Sequence, residues 1–168
     1  LNIGHVAGPA PRITHSVYPV STERKQGLFL ELLGGVIQGS VLVFTRTKHR
    51  ANRLADFLDS HGVACARIHG NRSQSQRSAA LSGFKQGRFK VLVATDIAAR
   101  GIDVEALGSV VNFDVPHVPE DYIHRVGRTA RAQASGDAFS LVSPDEEKDF
   151  RAIERHLGTR LPRQNLDG

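Results

Sequence analysis

Val91-Leu92-Val93-Ala94-Thr95 is an apolar run closed by a hydroxyl, and Val41-Leu42-Val43-Phe44-Thr45 repeats the form earlier in the chain. A strand with one wet face alternates apolar and polar residues. A short, continuously apolar run has no wet face and marks a strand covered by helices on both sides, as in a parallel sheet. Outward from these two runs, further strands are predicted over Ile13–Val20, Ala64–His69, Ser109–Phe113 and Asp137–Val142. Helical spacing fills the intervals: Ala51, Leu54, Ala55 and Leu58 form one stripe, and Arg77, Ala80, Leu81 and Phe84 form another with Arg77 at its polar end. Ser73 with Gln76 predicts a capping box. Ser143, Pro144 and Glu146 predict a stronger one, with proline at the first helical position. The helix they open carries Phe150, Ile153 and Leu157 on one face and stops near Gly158. Strand and helix alternate throughout, so the expected class is α/β, three layers with helices on both sides of a mainly parallel central sheet.

The chain of 168 residues, 40% hydrophobic, suits one domain with a full core. Residues 1–11 and 164–168 read as linker and tail around a domain over 12–163. No apolar run approaches the roughly 18 residues of a membrane span, and the first residues lack the basic and apolar parts of a secretory signal. Cys65 is the single cysteine. It can form no internal disulfide, which fits a cytoplasmic setting, and its apolar surroundings suit a buried, inert thiol. The eight histidines are scattered without metal-ligand spacing. A net charge of +5 permits a polyanionic partner.

In parallel sheets ligands gather at the carboxyl ends of the strands, and four such ends carry polar residues. Thr45-Arg46-Thr47-Lys48 offers hydroxyls and cations to phosphate oxygens, or equally a helix cap followed by a solvated basic turn. His69-Gly70-Asn71, then Ser73 to Arg77, puts a close-approach glycine before a helix start, where free N–H groups suit an anion; an ordinary capped helix explains the same residues. Thr95-Asp96 through Arg100-Gly101-Ile102-Asp103 holds two carboxylates and an arginine, suited either to a ribose or to a structural Asp–Arg pair. His124-Arg125-Val126-Gly127-Arg128-Thr129-Ala130-Arg131 is the most telling. Three arginines at spacing three fit poorly in a core, and Arg128 and Arg131, one turn apart, can aim two guanidiniums at one phosphoryl group. The sequence has no G-x-x-x-x-G-K-[ST] loop and no Asp-Glu pair after a strand placed to hold Mg²⁺ and orient water. Whatever the arginines touch must therefore be held mainly by something else.

Taken in order, Val41 to Lys48, Gln74 to Arg77, Val91 to Asp103, Val110 to Pro116 and His124 to Arg131 resemble motifs IV, IVa, V, Va and VI of the DEAD-box RNA helicases. His69-Gly70-Asn71, Val118 to Tyr122 and the ending from Ile153 to Arg163 resemble the bacterial RhlE-like branch. The resemblance covers about Arg12 to Arg163 and implies the C-terminal RecA-like domain of an ATP-dependent RNA helicase. It further implies that Arg128 and Arg131 are arginine fingers on the γ-phosphate and that His124 links to the acidic motif of the other domain. Arg100, Gly101 and Asp103 would serve the nucleotide, with Asp103 on its ribose and Arg100 bridging the domains. Thr45, Arg46, Gly70, Arg77 and Thr95 would lie along the RNA backbone, and Gln74 would support the interdomain contact. ATP and Mg²⁺ would be held mainly by the N-terminal RecA-like domain of the same polypeptide. The partners implied are RNA and that domain, with ribosomal or RNA-degradation assemblies as candidates, and no membrane. Val126 stands where the family has Ile, and Ala130 where it has a second glycine. The reading from another class is a non-catalytic RNA-binding or regulatory module.

Overall fold

The computed structural model describes residues 12–100, 108–129 and 135–165. Its elements run β1 (Arg12–Pro19), α1 (Lys25–Gly35), β2 (Val41–Thr45), α2 (Lys48–Ser60), β3 (Cys65–Ile68), α3 (Gln74–Lys85), β4 (Val91–Thr95), α4 (Asp96–Arg100), β5 (Ser109–Asn112), α5 (Pro119–Val126), β6 (Ser135–Val142) and α6 (Glu147–Leu157). The six strands form one sheet in the order β1-β6-β5-β2-β4-β3. Every pairing is parallel, so the expected mainly parallel sheet is wholly parallel among the described residues. The strand ends differ slightly from expectation. β3 is shorter by one residue at each end, β5 stops at Asn112, and β6 begins at Ser135 because Ser135 and Gly136 pair with Arg12 and Ile13.

The two apolar runs lie side by side in register, Val41 opposite Val91 and Thr45 opposite Thr95, and both are buried throughout. Their alternate side chains supply opposite layers. Val41, Val43, Val91 and Val93 pack against α1 and α2 through Leu32, Leu54 and Leu58. Leu42, Phe44, Leu92 and Ala94 pack against Ala80 and Phe84 of α3. A third cluster joins Tyr122 and Val126 of α5 to Phe150 and Ile153 of α6. Burying a side chain such as Phe150 contributes about 1.5–3 kcal/mol.

The capping predictions hold in detail. Ser73 Oγ accepts from the Gln76 N–H and the Gln76 side chain accepts from the Ser73 N–H. At the second box the Glu146 carboxylate accepts from the Ser143 N–H and hydroxyl while the Glu146 N–H donates to the Ser143 carbonyl, and it opens a 3₁₀ turn over Pro144–Glu146 that leads into α6. Gly158 closes α6 at φ +78°, a left-handed conformation that glycine adopts without steric penalty. Beyond it, Val17 N–H donates to Pro162 O and Gln164 N–H to Val17 O, so the segment after α6 lies along the outer edge of β1. Cys65 is half-buried. Its thiol donates to Ala55 O at 3.5 Å, and burial, with Asp59 beside it, pushes its pKa up to about 12. No helix among the described residues is long and apolar enough to cross a membrane.

Candidate functional site

Parallel strands present all their carboxyl ends on one edge, and the polar loops follow from there. The ends of β2 and β4 and the loop after β3 bring Arg46, Thr95, Gly70 and Arg100 around one open groove of about 480 Å³. Beside it, Arg100, His124 and Arg128 line a narrow cleft, and Asp96, Arg100 and Asp121 border both. The structure thus gathers two of the predicted sets on adjoining parts of one surface.

The members differ in how they are held. Arg100, more than half exposed, donates Nη2 to Asp121 Oδ1 at 2.9 Å. The Asp–Arg pairing entertained inside the 95–103 loop is not formed by Asp96, which binds Arg125 instead. Arg128 donates Nη2 to the Ala99 carbonyl at 3.0 Å. His124 is exposed on α5. Gly70 and Gln74 are exposed, and Arg77 sits one turn into α3 with its Nε buried and without a hydrogen-bond partner. Thr45 is fully buried, its hydroxyl turned inward to donate to Thr47 O. Thr47 caps α2 by accepting from the Arg50 N–H. Gly101, Asp103 and Arg131 lie outside the described residues.

Two ionic assemblies underlie the groove, and sequence reasoning missed both. Lys25, 1% exposed, donates Nζ to Phe113 O at 2.6 Å and to Glu146 Oε1 at 2.7 Å, with Asp114 Oδ1 at 3.5 Å. Glu146 Oε2 accepts from the Val115 N–H and from Arg46 Nη2. Asp114 accepts from the Arg46 N–H at 2.8 Å and from Arg50 Nε and Nη2 at 2.7 and 2.6 Å. Burial alone would raise the Asp114 carboxyl. The Arg50 hydrogen bonds, Lys25 and the Arg46 N–H outweigh it and hold the group below the usual carboxylate value. Arg46, expected on a nucleic-acid backbone, is therefore already tied by its guanidinium to Glu146 and Val115 O. About a third of its side chain remains exposed toward the groove.

The second assembly corrects the three-arginine reading. Arg125 is not one of an outward set: it is 2% exposed. It forms a two-point pair with Asp96 at 2.7 and 2.8 Å, donates to Asn112 Oδ1 and Asp114 O, and lies 5.2 Å from the centre of the Phe44 ring. α5 ends at Val126, so Arg128 belongs to the turn after the helix rather than to a continuing helical face. A signal existed for Arg125: with Tyr122 and Val126 it completes an i, i+3, i+4 buried stripe. Lys25 left no comparable signal, because its partners lie 88 to 121 residues away.

A third local arrangement sets the loop after β3. His69 Nδ1 accepts from the Asn71 N–H at 3.2 Å while Nε2 meets Asn52 Oδ1 at 3.0 Å. The ring must be neutral at Nδ1 to accept. Burial, then the nearby Arg72, Arg67 and Lys48, keep its pKa below the ordinary value. Among the described residues no group of three His, Cys, Asp or Glu could hold a metal ion.

The family described as "Helicase conserved C-terminal domain" matches residues 24–133. The chain is 41% identical over 149 residues to the ATP-dependent RNA helicase DbpA of Bacillus subtilis, which covers 89% of this chain and 31% of that protein. It is 47% identical over 122 residues to the DEAD-box ATP-dependent RNA helicase CshA of the same organism, covering 73% of this chain and 25% of CshA. The chain thus spans about a third or less of the length of these relatives. Among solved structures, the Escherichia coli DEAD-box protein SrmB, bound to the regulator of ribonuclease activity RraA, superposes with a TM-score of 0.87. That match has 34% identity and covers 93% of this chain and 92% of the other. The C-terminal domain of the DEAD-box protein Dbp5 gives a TM-score of 0.82 at 33% identity, covering 92% of each chain.

Proposed function

Because the chain belongs to the helicase conserved C-terminal domain family, within the DEAD-box RNA helicases, we propose that it is the closing half of a two-domain ATP-dependent RNA helicase that unwinds or remodels short RNA duplexes. The observation that carries this reading is the common edge on which Arg100, His124 and Arg128 adjoin the groove of Arg46, Gly70 and Thr95. One motion of the domain would then bring cations to a nucleotide and a backbone-binding face to RNA together. Bound ATP with its Mg²⁺ supplies the cleavable phosphoanhydride. The residues here suit only its outer side, since they provide guanidiniums and no phosphate cradle. Arg128 would stabilise charge on the transferring phosphoryl group, with Arg131 as the second finger, and Asp103 would accept from the ribose. Arg77 and the groove would hold RNA through phosphate and sugar, which makes binding tolerant of sequence. The RhlE-like branch rests on the motif resemblance, and a cytoplasmic setting and ribosomal or degradation partners belong to the same proposal.

The test is Arg128→Ala in the full-length enzyme, read as RNA-stimulated turnover beside equilibrium binding of a labelled nucleotide. A finger of this kind is worth about 10³–10⁵ in rate in other nucleotide hydrolases, while ground-state binding depends mainly on the other domain. Near-normal turnover in the variant refutes the assignment.

A further inference from the structure

β3 is the last strand of the sheet, and a second groove of about 440 Å³ runs between it and α3. That volume lies within the range of small-ligand sites, about 300–1,000 Å³. Its walls carry Arg67, Arg72, Arg88, Gln76, Ser82 and Phe89, and no carboxylate lines it. Arg67 has its charge offset by Asp56 and Asp59 of α2. Arg72 and Arg88 are different. Arg72 Nε is buried without a hydrogen-bond partner, and Arg88 is exposed and donates to the neutral Gln86 side chain.

Between these arginines lies an aromatic face. Phe89 is only partly buried, and its ring rests on α3 at Gly83, where an added Cβ would lie 2.4 Å from Phe89 Cε2. Glycine there lets the ring lie against the helix backbone beside two guanidiniums. The groove begins at Arg72, two residues after Gly70 of the carboxyl-edge groove, and ends at Arg88 and Phe89 before β4. It lies along the four residues of β3, about 13 Å at ~3.3 Å per residue, with Arg72 at the end near the carboxyl-edge groove.

Cations that fit phosphates, interleaved with an aromatic ring on which any base can stack, are the features of a single-strand platform. We propose that this groove is a second RNA subsite, taking the backbone and one stacked base of a strand that passes on from the carboxyl edge. The inference rests on reading that edge as the RNA face. An acidic peptide added to the open edge of β3 could use the same arginines, but it would have no use for the Phe89 face.

The experiment uses this chain and two labelled oligouridylates, one long enough only for the carboxyl-edge groove and one about twice that length, with affinities taken across a salt series. Wild type is expected to bind the longer RNA more tightly. Arg72→Ala/Arg88→Ala should remove that gain and lower the salt slope for the longer RNA by roughly 0.7–1.4, at ~0.7 per phosphate contact, while leaving the shorter unchanged. Phe89→Leu, which keeps an apolar group over Gly83, should cost the longer RNA about tenfold. Equal losses for both lengths, or no loss for either, overturn the subsite. So does an oligo-aspartate that binds in the groove more tightly than RNA and is insensitive to Phe89→Leu. Arg77→Ala separates the two readings. It should weaken both lengths, and if it weakens neither while the length-dependent loss persists, the carboxyl-edge assignment fails and the groove stands alone.

Discussion

Arg125→Ala should destabilise the isolated chain by about 3–4 kcal/mol, from a mechanism that the geometry specifies. The side chain makes two short bonds to Asp96, one to Asn112 and one to Asp114 O, and lies over Phe44. Removing one member of a buried pair costs about 3–5 kcal/mol, because the remaining charge and acceptors are left without partners. Asp96 moderates the loss: 24% of its side chain is exposed, so water can rehydrate part of the carboxylate, and the lower half of that range applies. Losing the guanidinium from the buried Phe44 ring is part of that same truncation cost and is not added to it. For a domain of this size each kcal/mol shifts Tm by about 2–4 °C, giving a fall of roughly 6–16 °C. The assay is urea unfolding followed by circular dichroism, with the slope m compared so that a changed midpoint reports stability alone. Arg125→Met and Asp96→Asn, singly and together, supply the control. If the ionic pair is the cause, the double variant must be more stable than the sum of the single losses, by at least about 1 kcal/mol. A loss below about 1 kcal/mol for Arg125→Ala, or strict additivity in the cycle, refutes the reasoning.

Gly83→Ala should lower Tm even though alanine is the better helix former by about 1 kcal/mol, because the new Cβ would strike the Phe89 ring; a raised Tm in a thermal melt contradicts this. His69 has its pKa lowered by burial and by Arg72, Arg67 and Lys48. Its contribution is therefore full above about pH 6.5 and is lost as pH falls through the lower folded value. The urea midpoint of wild type should drop more than that of His69→Gln between about pH 7.5 and pH 5, and equal drops would contradict the linkage. Asp114, also lowered, acts in a separate window: its stabilisation is present above about pH 3.9 and is lost as pH falls further through its folded value. The isolated chain should release no phosphate from ATP with Mg²⁺ and RNA, and RNA-stimulated turnover by it in a phosphate-release assay would contradict the two-domain proposal.

What could be read in the sequence divides along a physical line. Residues whose state depends on near neighbours were legible. Val41 to Thr45 and Val91 to Thr95 declare burial on both faces by themselves, and Ser73 with Gln76 contains both halves of its cap. The strand order was not legible, since nothing local states that β2 lies between β4 and β5. The charged core was hidden for the same reason. Nothing near Lys25 in the sequence marks it as buried; its partners Phe113, Asp114 and Glu146 come to it from distant parts of the chain. Arg125 was misread because its neighbours in sequence, Arg128 and Arg131, suggested an outward cluster, whereas Tyr122 and Val126 carried the decisive pattern. Arg46 shows a mixed case: its place beside the groove followed from the end of β2, but its tie to Glu146 did not.

The two ionic assemblies tie residues from separate motifs into one surface. Asp114 is their common member, since its carboxylate takes Lys25, Arg46 and Arg50 while its carbonyl takes Arg125. Arg125 in turn fixes Asp96, the first residue of α4, and the carbonyl of Ala99 in that short helix receives Arg128. The backbone at the end of β2, the start of α4 and the turn after α5 are thus tied to one another by charge-assisted bonds rather than by sheet pairing alone. Contiguity of this kind does not transmit a signal unless some element has two states. In the proposed enzyme the two-state element is the domain pair, open or closed, and the assemblies lie wholly inside one partner. Their part there would be to keep the residues proposed to face nucleotide and RNA in fixed relation as the domain moves. On that proposal, a closure driven at Arg128 would carry Arg46, Gly70 and Thr95 with it, and energy gained at one face would not be dissipated in bending the other.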